Sequence, residues 1–393
     1  MKHTFDCLVV GAGYAGAIVA RELAEAGGKQ VLVLERRNHV AGNAYDCFDE
    51  AGILIHQYGP HIFHTNDKQV YDWLSRFTKW RTYDHRVIAN IPDGRGGRMT
   101  YPVPFNLTSL EVAFGQEEGQ RLGQKLMQVY GTEKKVTILE LRQNQDPEIA
   151  ALADYVYEHV FVQYTMKQWG QTPEEIDPNT TARVPVFLSR DDRYFQDTYQ
   201  GMPLEGYTPM FEAILDHPNI TVELGQEALN RLDVTGDVLK LDGEVWDGQV
   251  IYTGQVDELF AFQFGRLPYR TLDFIFEAVP QDDVQGYGTV NYTMDEAYTR
   301  ITEFKHLTGQ VKPGVSTIVK EYSKAYTGAE DETPYYAIIN ETNNALYGQY
   351  KALAGRFPNL YLVGRLAEYK YYNMDAIAQR ALALAAEILG KAR

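Results

Sequence analysis

Aromatic and cationic side chains occur together in several distant segments of this 393-residue chain. Tyr164 and Trp169 offer flat faces on which a base could stack. Arg183 and Arg300 lie in strand-like segments, and an arginine recognises phosphate oxygens with a planar fork of N–H donors. The tyrosines whose hydroxyls could each add a hydrogen bond are Tyr194, Tyr335, Tyr336, Tyr369, Tyr371 and Tyr372. These residue types predict a cradle for a diphosphate, although a surface that is merely rich in the chain's 28 tyrosines remains the alternative.

A glycine-rich turn follows the first apolar run of the chain, Cys7–Val10. Gly11, Gly13 and Gly16 have the G-x-G-x-x-G spacing. In this motif the first glycine permits a tight turn, the second lets a pyrophosphate approach, and the third lets the helix pack against the strand. Strand, glycines, helix and second strand occur here in the required order, which predicts a dinucleotide site rather than an ordinary βαβ unit.

The end of the second strand, VLVLE, indicates how the ribose is held. Glu35 closes this strand at the position where a carboxylate can bind a ribose hydroxyl. Arg36 and Arg37 follow directly and could be interpreted as a site for the 2′-phosphate of NADP, which the acidic Glu35 opposes.

Two later features favour a tightly held FAD over a nicotinamide cofactor. A second glycine turn, Gly42-Asn43, comes where a simple dehydrogenase would run on into its next helix. The segment Asn359–Leu366 is predicted to be a strand that ends at Gly364 and Arg365, and an amphipathic helix follows it. Here the first residues begin the nucleotide domain and the last forty residues complete it. This arrangement is typical of proteins that hold FAD tightly.

Three histidines, His56, His61 and His64, lie close together in the segment HQYGPHIFHT. No carboxylate or cysteine stands at ligand spacing, and a Gly-Pro turn interrupts the group. We therefore expect no metal and interpret the segment as a loop beside the flavin.

The elements that must position these side chains alternate between helix and strand patterns. A hairpin is predicted around Gly94–Gly97, and apolar residues at helical spacing predict a helical insert over Ser109–Trp169, with Asp146 and Pro147 at one helix start. The segment EVWDGQVIYTG is predicted to return to the nucleotide sheet, and Leu272–Ile339 is predicted to be largely extended.

The bulk composition restricts the class of protein. Hydrophobic content of 45% and charged content of 23% are ordinary for a soluble enzyme. A net charge of −16 argues against nucleic-acid binding, which needs a basic face. No apolar run approaches the length of a membrane span, and two cysteines, Cys7 and Cys47, cannot form a disulfide framework. We expect a cytoplasmic protein.

Several motifs resemble, in the same order, those of the UDP-galactopyranose mutase family, and the resemblance covers nearly the whole chain. They are GNAYD, YGPHIFHT, YTMKQWG, ARVPV, DDRYF, YTRITEFKH, PYY and VGRLAEYKYYNMD. The resemblance implies a mixed α/β fold, in which a Rossmann-like FAD-binding domain carries an inserted helical domain and an antiparallel six-stranded sheet domain. The boundaries expected are 1–84, 205–265 and 340–393 for the FAD domain, 106–178 for the helical domain, and 85–105, 179–204 and 266–339 for the sheet domain.

The resemblance also implies roles for individual residues. Tyr164 would stack on uracil, Trp169 would line the sugar pocket, Arg183 and Arg300 would hold the diphosphate as catalytic residues, and His64 would lie by the isoalloxazine as a third. The further substrate-binding residues would be Phe161, Thr165, Tyr194, Tyr336, Tyr371 and Asn373. The cofactor-binding residues would be Gly11, Gly13, Ala15, Gly16, Glu35, Arg36, Gly42, Asn43, His61, Gly364, Arg365, Tyr372, Asn373 and Met374. The loop that contains Arg183 would close over the substrate.

The reaction implied interconverts UDP-galactopyranose and UDP-galactofuranose, as in galactofuranose biosynthesis for cell-wall polysaccharide. Reduced FAD would attack the anomeric carbon through N5, giving a covalent sugar adduct and ring contraction without net oxidation. NAD(P)H would be the reductant, and flavin N5 rather than His64 would move the proton. The resemblance further implies a homodimer or a higher homo-oligomer, with no nucleic acid or membrane as partner.

Two departures from the family leave the sugar and the base open. Phe187 stands where many members have arginine, and Asn373 where many have aspartate. A dTDP-sugar or an N-acetylated sugar is therefore an alternative substrate. A flavin oxidoreductase and a nucleotide-sugar-binding protein without chemistry are the alternatives from other functional classes.

Overall fold

The fold is described by a computed structural model for residues 4–170, 172 and 185–390, the side chain of Trp169 excepted. In chain order the strands are β1 (Cys7–Val10), β2 (Val31–Glu35), β3 (Asp46–Phe48), β4 (Leu54–His56), β5 (Phe63–Thr65), β6 (Trp80–Thr82), β7 (Val87–Pro92), β8 (Arg98–Val103), β9 (Lys135–Thr137), β10 (Pro185–Phe187), β11 (Tyr199–Pro203), β12 (Ile220–Leu224), β13 (Leu232–Asp233), β14 (Lys240–Leu241), β15 (Glu244–Val245), β16 (Gln249–Tyr252), β17 (Tyr269–Val279), β18 (Thr289–Tyr292), β19 (Arg300–Glu303), β20 (Ser316–Ala325), β21 (Tyr336–Ala337) and β22 (Leu360–Leu362). The helices are α1 (Tyr14–Glu25), α2 (Lys68–Leu74), α3 (Leu107–Phe114), α4 (Gln116–Tyr130), α5 (Ile138–Arg142), α6 (Pro147–Val156), α7 (Gln163–Trp169), α8 (Tyr207–Leu215), α9 (Val256–Leu259), α10 (Phe304–Thr308), α11 (Glu341–Ala354) and α12 (Met374–Ile388).

A five-stranded parallel sheet, in the order β12-β2-β1-β16-β22, forms the part of the fold that carries the glycine-rich turn. Its central strands β1 and β2 are apolar runs buried along almost their whole length, as expected for a parallel sheet covered on both faces. Helix α12 packs against α1. The predictions that β16 returns to this sheet and that the C-terminal segment completes it are confirmed.

A second sheet has seven strands, in the order β21-β17-β20-β19-β18-β7-β8. The fold class is as predicted, but the expected six antiparallel strands are corrected to seven with one parallel pair, β18 with β7. The short strand β21 adds an edge to β17. Strands β7 and β18 are far apart in sequence, so no hairpin forces them to run antiparallel. The predicted hairpin of β7 and β8 is confirmed.

The helices α3 to α7 form the predicted helical insert between β8 and β10. Helix α6 begins as predicted, because the Asp146 carboxylate accepts hydrogen bonds from the N–H groups of Glu148 and Ile149, and Pro147 occupies the first turn. A π-helical segment, Tyr157–Val162, joins α6 to α7 in one rod. This segment determines which side chains of the rod face the neighbouring sheet.

A separate three-stranded sheet has the order β5-β11-β6. Its middle strand β11 lies in the range 179–204, which we expected in the large sheet, but β11 pairs with β5 and β6 instead. Among the described residues, no helix has the length and apolar character needed to cross a bilayer.

Candidate active site

Two cavities with shared walls contain most of the residues that the sequence indicates. The first, here the glycine cavity, has a volume of about 710 Å³ and is lined in part by Gly11, Gly13, Gly42, Gly225, Gly254, Gly328 and Gly364. The second, here the tyrosine cavity, has a volume of about 720 Å³ and is lined in part by Tyr58, Tyr164, Tyr194, Tyr335, Tyr336, Tyr371 and Tyr372. Both volumes lie in the range of small-molecule sites.

The two cavities meet along one wall. The residues that line both are Asn43, His61, Arg365, Tyr372 and Met374. A long ligand can therefore extend from one cavity into the other, and its end would lie beside whatever occupies the tyrosine cavity.

The glycine turn forms the floor of the glycine cavity, and at two of its glycines there is no room for a side chain. Gly11 has a φ of +101°, and a Cβ there would lie 2.2 Å from Thr253 Oγ1. A Cβ on Gly16 would lie 1.9 Å from the carbonyl oxygen of Gly11, so Gly16 serves the packing of α1 on β1 and does not itself line the cavity. A Cβ on Gly13 would meet only ordinary contacts, the closest at 3.5 Å from Gly42. The space before Gly13 is thus left for a ligand, as the motif requires.

Glu35 lies at the end of β2 and lines the glycine cavity. Its Oε2 accepts a hydrogen bond from the N–H of Ala12 at 2.8 Å, and its Oε1 accepts one from the N–H of Arg37 at 2.9 Å. These bonds hold the carboxylate at the mouth of the glycine turn, where it could accept further hydrogen bonds from ribose hydroxyls.

The two arginines after Glu35 already have protein partners. Arg36 lines the glycine cavity and forms ion pairs with Glu258 at 2.9 Å and Glu227 at 3.4 Å. Arg37 Nη1 donates to Asn43 Oδ1 at 3.0 Å, and its guanidinium lies 4.0 Å from the centre of the Tyr58 ring. These partners argue against a 2′-phosphate site at Arg36 and Arg37.

The charge of the tyrosine cavity is opposite to that of the whole chain. The described residues that line it include Arg300, Arg365 and Lys135 but no aspartate or glutamate. The chain as a whole has 53 acidic residues and a net charge of −16. A cavity with this lining is suited to an anionic ligand.

Arg300 is the most firmly held of these cations. It begins β19 directly opposite Glu321 of β20, and its Nε donates to Glu321 Oε1 at 2.6 Å. The Glu321 side chain is 1% exposed. Burial disfavours the charge of Arg300, yet Glu321 and nearby tyrosines raise the pKa of Arg300 above its ordinary value. Because no described residue accepts a hydrogen bond from its Nη groups, these can serve a ligand.

Stacked rings form the wall beside the shared residues. The rings of Tyr336 and Tyr371 stack with centres 6.1 Å apart, and the Arg365 guanidinium lies 4.6 Å from the centre of the Tyr371 ring. Arg365 Nε donates to the carbonyl oxygen of Tyr372 at 2.7 Å. Burial raises the pKa of Tyr336 to about 12, so its hydroxyl remains a proton donor at neutral pH. The wall thus offers a fixed cation and a hydroxyl donor side by side.

Comparison with known proteins identifies the family. The UDP-galactopyranose mutase domain matches residues 159–371, and an NAD(P)-binding Rossmann-like domain matches residues 9–77. The UDP-galactopyranose mutase of Mycoplasma pneumoniae is 35% identical over 98% of this chain and 97% of its own length. The dTDP-fucopyranose mutase of Escherichia coli is 34% identical over 95% of this chain and 96% of its own. The chain belongs to the UDP-galactopyranose mutase family.

The structure agrees with membership of the UDP-galactopyranose mutase family. A crystal structure of reduced UDP-galactopyranose mutase superposes with a TM-score of 0.73 at 17% identity, and covers 99% of this chain and 94% of that one. A putative protoporphyrinogen oxidase from Exiguobacterium reaches 0.64 at 11% identity over 98% of this chain and 99% of that one. At these identities the likeness shows the fold alone. The sequence relatives named above make the chain an enzyme of an isomerase family, and the structures add only that its fold occurs in other proteins as well.

Most of the residues assigned by resemblance line the expected cavity. In the tyrosine cavity these are His64, Tyr164, Tyr194, Arg300, Tyr336, Tyr371 and Asn373. In the glycine cavity they are Gly11, Gly13, Ala15, Glu35, Arg36, Gly42, Asn43, His61, Gly364, Arg365, Tyr372 and Met374. Asn373, expected in both, lines the tyrosine cavity only.

Some assigned residues are placed elsewhere. Phe161 is 1% exposed in the core of the helical insert and does not line the tyrosine cavity, whereas its neighbour Val160 does. Both lie in the π-helical segment, whose wider turn shifts the side chains that a regular helix would present. Thr165 is also buried away from the cavity. Arg183 and the Trp169 side chain lie outside the described residues.

Several residues that line the tyrosine cavity were not predicted from the sequence. They are Lys135, His85, Val160, Thr289, Asn291 and Thr293. The last three alternate along and just after β18, and this period of two could have indicated a polar face of a strand. The other three carry no such signal, since they come from separate elements.

The histidines of the cavities differ in their partners. Burial lowers the pKa of His61 to about 3 and that of His85 to about 3, so both are uncharged at neutral pH. His64 instead faces a carboxylate, with its Nδ1 at 2.6 Å from Asp197 Oδ2. Asp197 was not foreseen from the sequence.

Proposed function

We propose that this enzyme interconverts UDP-galactopyranose and UDP-galactofuranose, with FAD in its reduced form as cofactor and with no net oxidation. The observation that carries the proposal is the junction of a cation-lined cavity free of described carboxylates with a dinucleotide cavity. Such a junction would allow a nucleotide-sugar to bind beside the reactive end of a dinucleotide.

The described residues of the glycine cavity fit the dinucleotide part of FAD. The pyrophosphate would cross the turn at Gly13, where a side chain is absent, and Glu35 would accept hydrogen bonds from the ribose. The ring system would then reach the shared wall of Asn43, His61 and Arg365. When bound and reduced, FAD would supply an electron-rich N5 as a nucleophile for the anomeric carbon.

The tyrosine cavity would hold the nucleotide-sugar by its diphosphate. Arg300 offers its Nη groups, and Arg183 of the ARVPV motif would provide a second guanidinium. Both would stabilise charge that develops on the diphosphate as the bond to C1 breaks. Tyr194, Tyr336 and Tyr371 would add hydroxyl donors. Tyr164 would stack on the uracil.

The direct test is chromatography of UDP-galactofuranose after incubation with the enzyme reduced by dithionite. We expect UDP-galactopyranose to form with reduced enzyme and not with oxidised enzyme. Full activity without a reductant would overturn the role of reduced FAD. Consumption of NAD(P)H in proportion to product would instead indicate an oxidoreductase, whereas a mutase needs NAD(P)H only to reduce its flavin.

A second candidate substrate is a dTDP-linked 6-deoxysugar. The relative of Escherichia coli named dTDP-fucopyranose mutase is about as similar as the UDP-galactopyranose mutases, at 34% against 35% identity. Competition between UDP-galactopyranose and dTDP-fucopyranose in one reaction measures the ratio of the two kcat/KM values. The homodimer and the cytoplasmic location stay predictions, which light scattering and cell fractionation would test.

A further inference from the structure

Helix α7, which carries Tyr164 to the wall of the tyrosine cavity, ends against the guanidinium of Arg270. Arg270 lies in β17 and is 8% exposed. Its Nε donates to the carbonyl oxygen of Gln168 at 3.2 Å, and its Nη2 donates to that of Lys167 at 3.2 Å. These carbonyls belong to the last turn of α7, where no partner is available within the helix. The arginine therefore supplies the hydrogen bonds that the helix end lacks.

The backbone at the end of α7 fits closely against this cation. Gly170 follows the helix with a φ of +64°, and a Cβ there would lie 2.6 Å from Arg270 Nη1. Ser323 of β20 completes the contact, because its Oγ accepts from Arg270 Nη2 at 3.1 Å and donates to the carbonyl oxygen of Gln168 at 2.7 Å. The helix end is thus held both by hydrogen bonds and by an approach that only glycine allows.

The charge of Arg270 is balanced by the helix rather than by an acid. Its hydrogen bonds to described residues go to two carbonyl oxygens and one hydroxyl, and burial lowers its pKa. A buried cation without a carboxylate is costly, but the C-terminal end of a helix carries partial negative charge. An apolar side chain could fill this place in the sheet without that cost. The contact with α7 is therefore the specific feature that the arginine provides.

A second cation ties α7 to the segment that leads to the diphosphate arginine. Lys167 Nζ donates to the carbonyl oxygens of Tyr292 at 2.5 Å, Glu296 at 3.1 Å and Tyr298 at 3.4 Å. Tyr292 ends β18, and the other two lie in the connection to β19, whose first residue is Arg300. The last turn of α7 is therefore bonded to the sheet on two sides.

One face of β20 connects the helix end to the diphosphate arginine. Glu321 and Ser323 are two residues apart in this strand and so point to the same side of the sheet. Glu321 binds Arg300, and Ser323 binds the end of α7. Burial raises the pKa of Tyr164, and the charge of Arg300 opposes this rise, as expected for side chains that lie near each other.

We infer that Arg270 is a positioning residue for the nucleotide-sugar, because it fixes the end of α7 and so sets the separation of Tyr164 and Arg300 across the tyrosine cavity. The inference rests on the proposed function, in which Tyr164 stacks on the base and Arg300 binds the diphosphate. Arg270 is not among the residues that line the cavity, so it acts through α7. A ligand that contacts both walls binds tightly only when their separation matches its own length.

The test is Arg270→Met in the FAD-loaded enzyme, with steady-state kinetics on UDP-galactofuranose and titration of UDP. We expect KM and the Kd of UDP to rise by about tenfold, as for loss of one base-stacking contact. The kcat should change by less than about threefold, because a binding contact made equally in the ground and transition states affects KM alone. Flavin content and reduction by dithionite should match the wild type. Arg270→Lys keeps a cation at the helix end and should restore most of the affinity.

The matched control is Arg81→Met, because Arg81 makes the same kind of contact elsewhere. Its Nη2 donates to the carbonyl oxygens of His306 and Leu307 in the last turn of α10, and a Cβ on Gly309 would lie 2.8 Å from its Nε. None of these residues lines the tyrosine cavity. Arg81→Met should lose thermal stability much as Arg270→Met does, yet keep the wild-type KM and Kd of UDP.

A double variant separates positioning from a general loss of structure. Arg270→Met combined with Tyr164→Ala should raise KM little more than Tyr164→Ala alone, whereas Arg270→Met and Lys135→Met should multiply their effects. If Arg270→Met does not fold, Ser323→Ala removes part of the same contact and should raise KM by about two- to fivefold. An unchanged KM in the folded variant used, or an equal rise in Arg81→Met, would overturn the inference. A flavin-loaded wild type that neither binds UDP nor converts UDP-galactofuranose would overturn the proposed function instead.

Discussion

The glycine cavity and the tyrosine cavity are built in different ways. The glycine cavity is formed mainly by backbone, at turns where Gly11, Gly42 and Gly364 have positive φ angles. The tyrosine cavity is formed by side chains from the helical insert, the seven-stranded sheet and the C-terminal segment. A backbone site depends on local turns, whereas a side-chain site depends on how distant elements pack together.

The two cavities also differ in charge. Carboxylates line the glycine cavity, among them Glu35, Glu227, Glu258, Glu330 and Glu332. The described wall of the tyrosine cavity has none and contains three cationic residues. The glycine turn can hold phosphates with backbone N–H groups alone. Carboxylates that accept hydrogen bonds from ribose hydroxyls are therefore tolerated nearby. The described wall of the tyrosine cavity includes no such turn, so the diphosphate proposed there would be held by charged side chains.

The largest expected effect removes the cation that the tyrosine cavity depends on. Arg300→Ala should lower kcat/KM by about 10³-fold while FAD stays bound, because a preorganised donor to the departing diphosphate is lost. The variant also leaves Glu321 buried and unpaired, which destabilises the fold. Arg300→Lys keeps the charge without the planar fork and separates the two effects. Steady-state kinetics and flavin absorbance measure both, and near-normal activity in Arg300→Ala would contradict the diphosphate role.

The matching test of the glycine cavity is Gly13→Ala. A Cβ at Gly13 meets only ordinary protein contacts, so the chain should fold, but the methyl group would occupy the path of the pyrophosphate. We expect the purified variant to retain little FAD, with circular dichroism like that of the wild type. Gly348→Ala in α11, where a Cβ has open space, is the control and should retain FAD fully. Normal flavin content in Gly13→Ala would show that the pyrophosphate passes elsewhere.

A third test uses the uncharged histidines of the tyrosine cavity. The pKa of His85 is lowered by burial from 6.5 to about 3, so the unfolded chain binds a proton between these values that the native protein does not. The free energy of unfolding therefore falls as the pH drops from about 6.5 towards 3. His85→Asn should remove about 1.4 kcal/mol per pH unit from this slope. Denaturant unfolding at pH 6.5, 5.5 and 4.5 measures it, and equal slopes in both proteins would show that His85 titrates normally.

The difference between the cavities also explains what the sequence could predict. The glycine turn, the hairpin of β7 and β8 and the start of α6 at Asp146 follow from local residue types, and all were predicted. The side chains of the tyrosine cavity were harder, because their neighbours are remote. Asp197 lies 133 residues from His64, and no local pattern connects them. Phe161 was assigned by resemblance alone, and its side chain lies in the core of the helical insert, whereas that of Val160 lines the tyrosine cavity.

The smallest expected effect concerns Lys135, which stands across from Phe187. The register of β9 and β10 pairs these residues, and the Lys135 ammonium lies 5.5 Å from the centre of the Phe187 ring. Lys135 lines the tyrosine cavity on the side where the resemblance led us to expect an arginine at position 187. Lys135→Met should raise KM by about two- to fivefold and leave kcat unchanged, as expected for one solvent-exposed charge. The salt dependence of kcat/KM should weaken as well.

The double variant Lys135→Met with Phe187→Arg sharpens this test. If Lys135 supplies the charge that an arginine at position 187 would supply, the new guanidinium should restore KM and its salt dependence. Lys134→Met, which removes a charge from the neighbouring exposed residue, is the control and should change neither, since Lys134 does not line the cavity. A Lys135→Met variant with unchanged KM at low salt would show that the cations deeper in the tyrosine cavity are sufficient to bind the diphosphate.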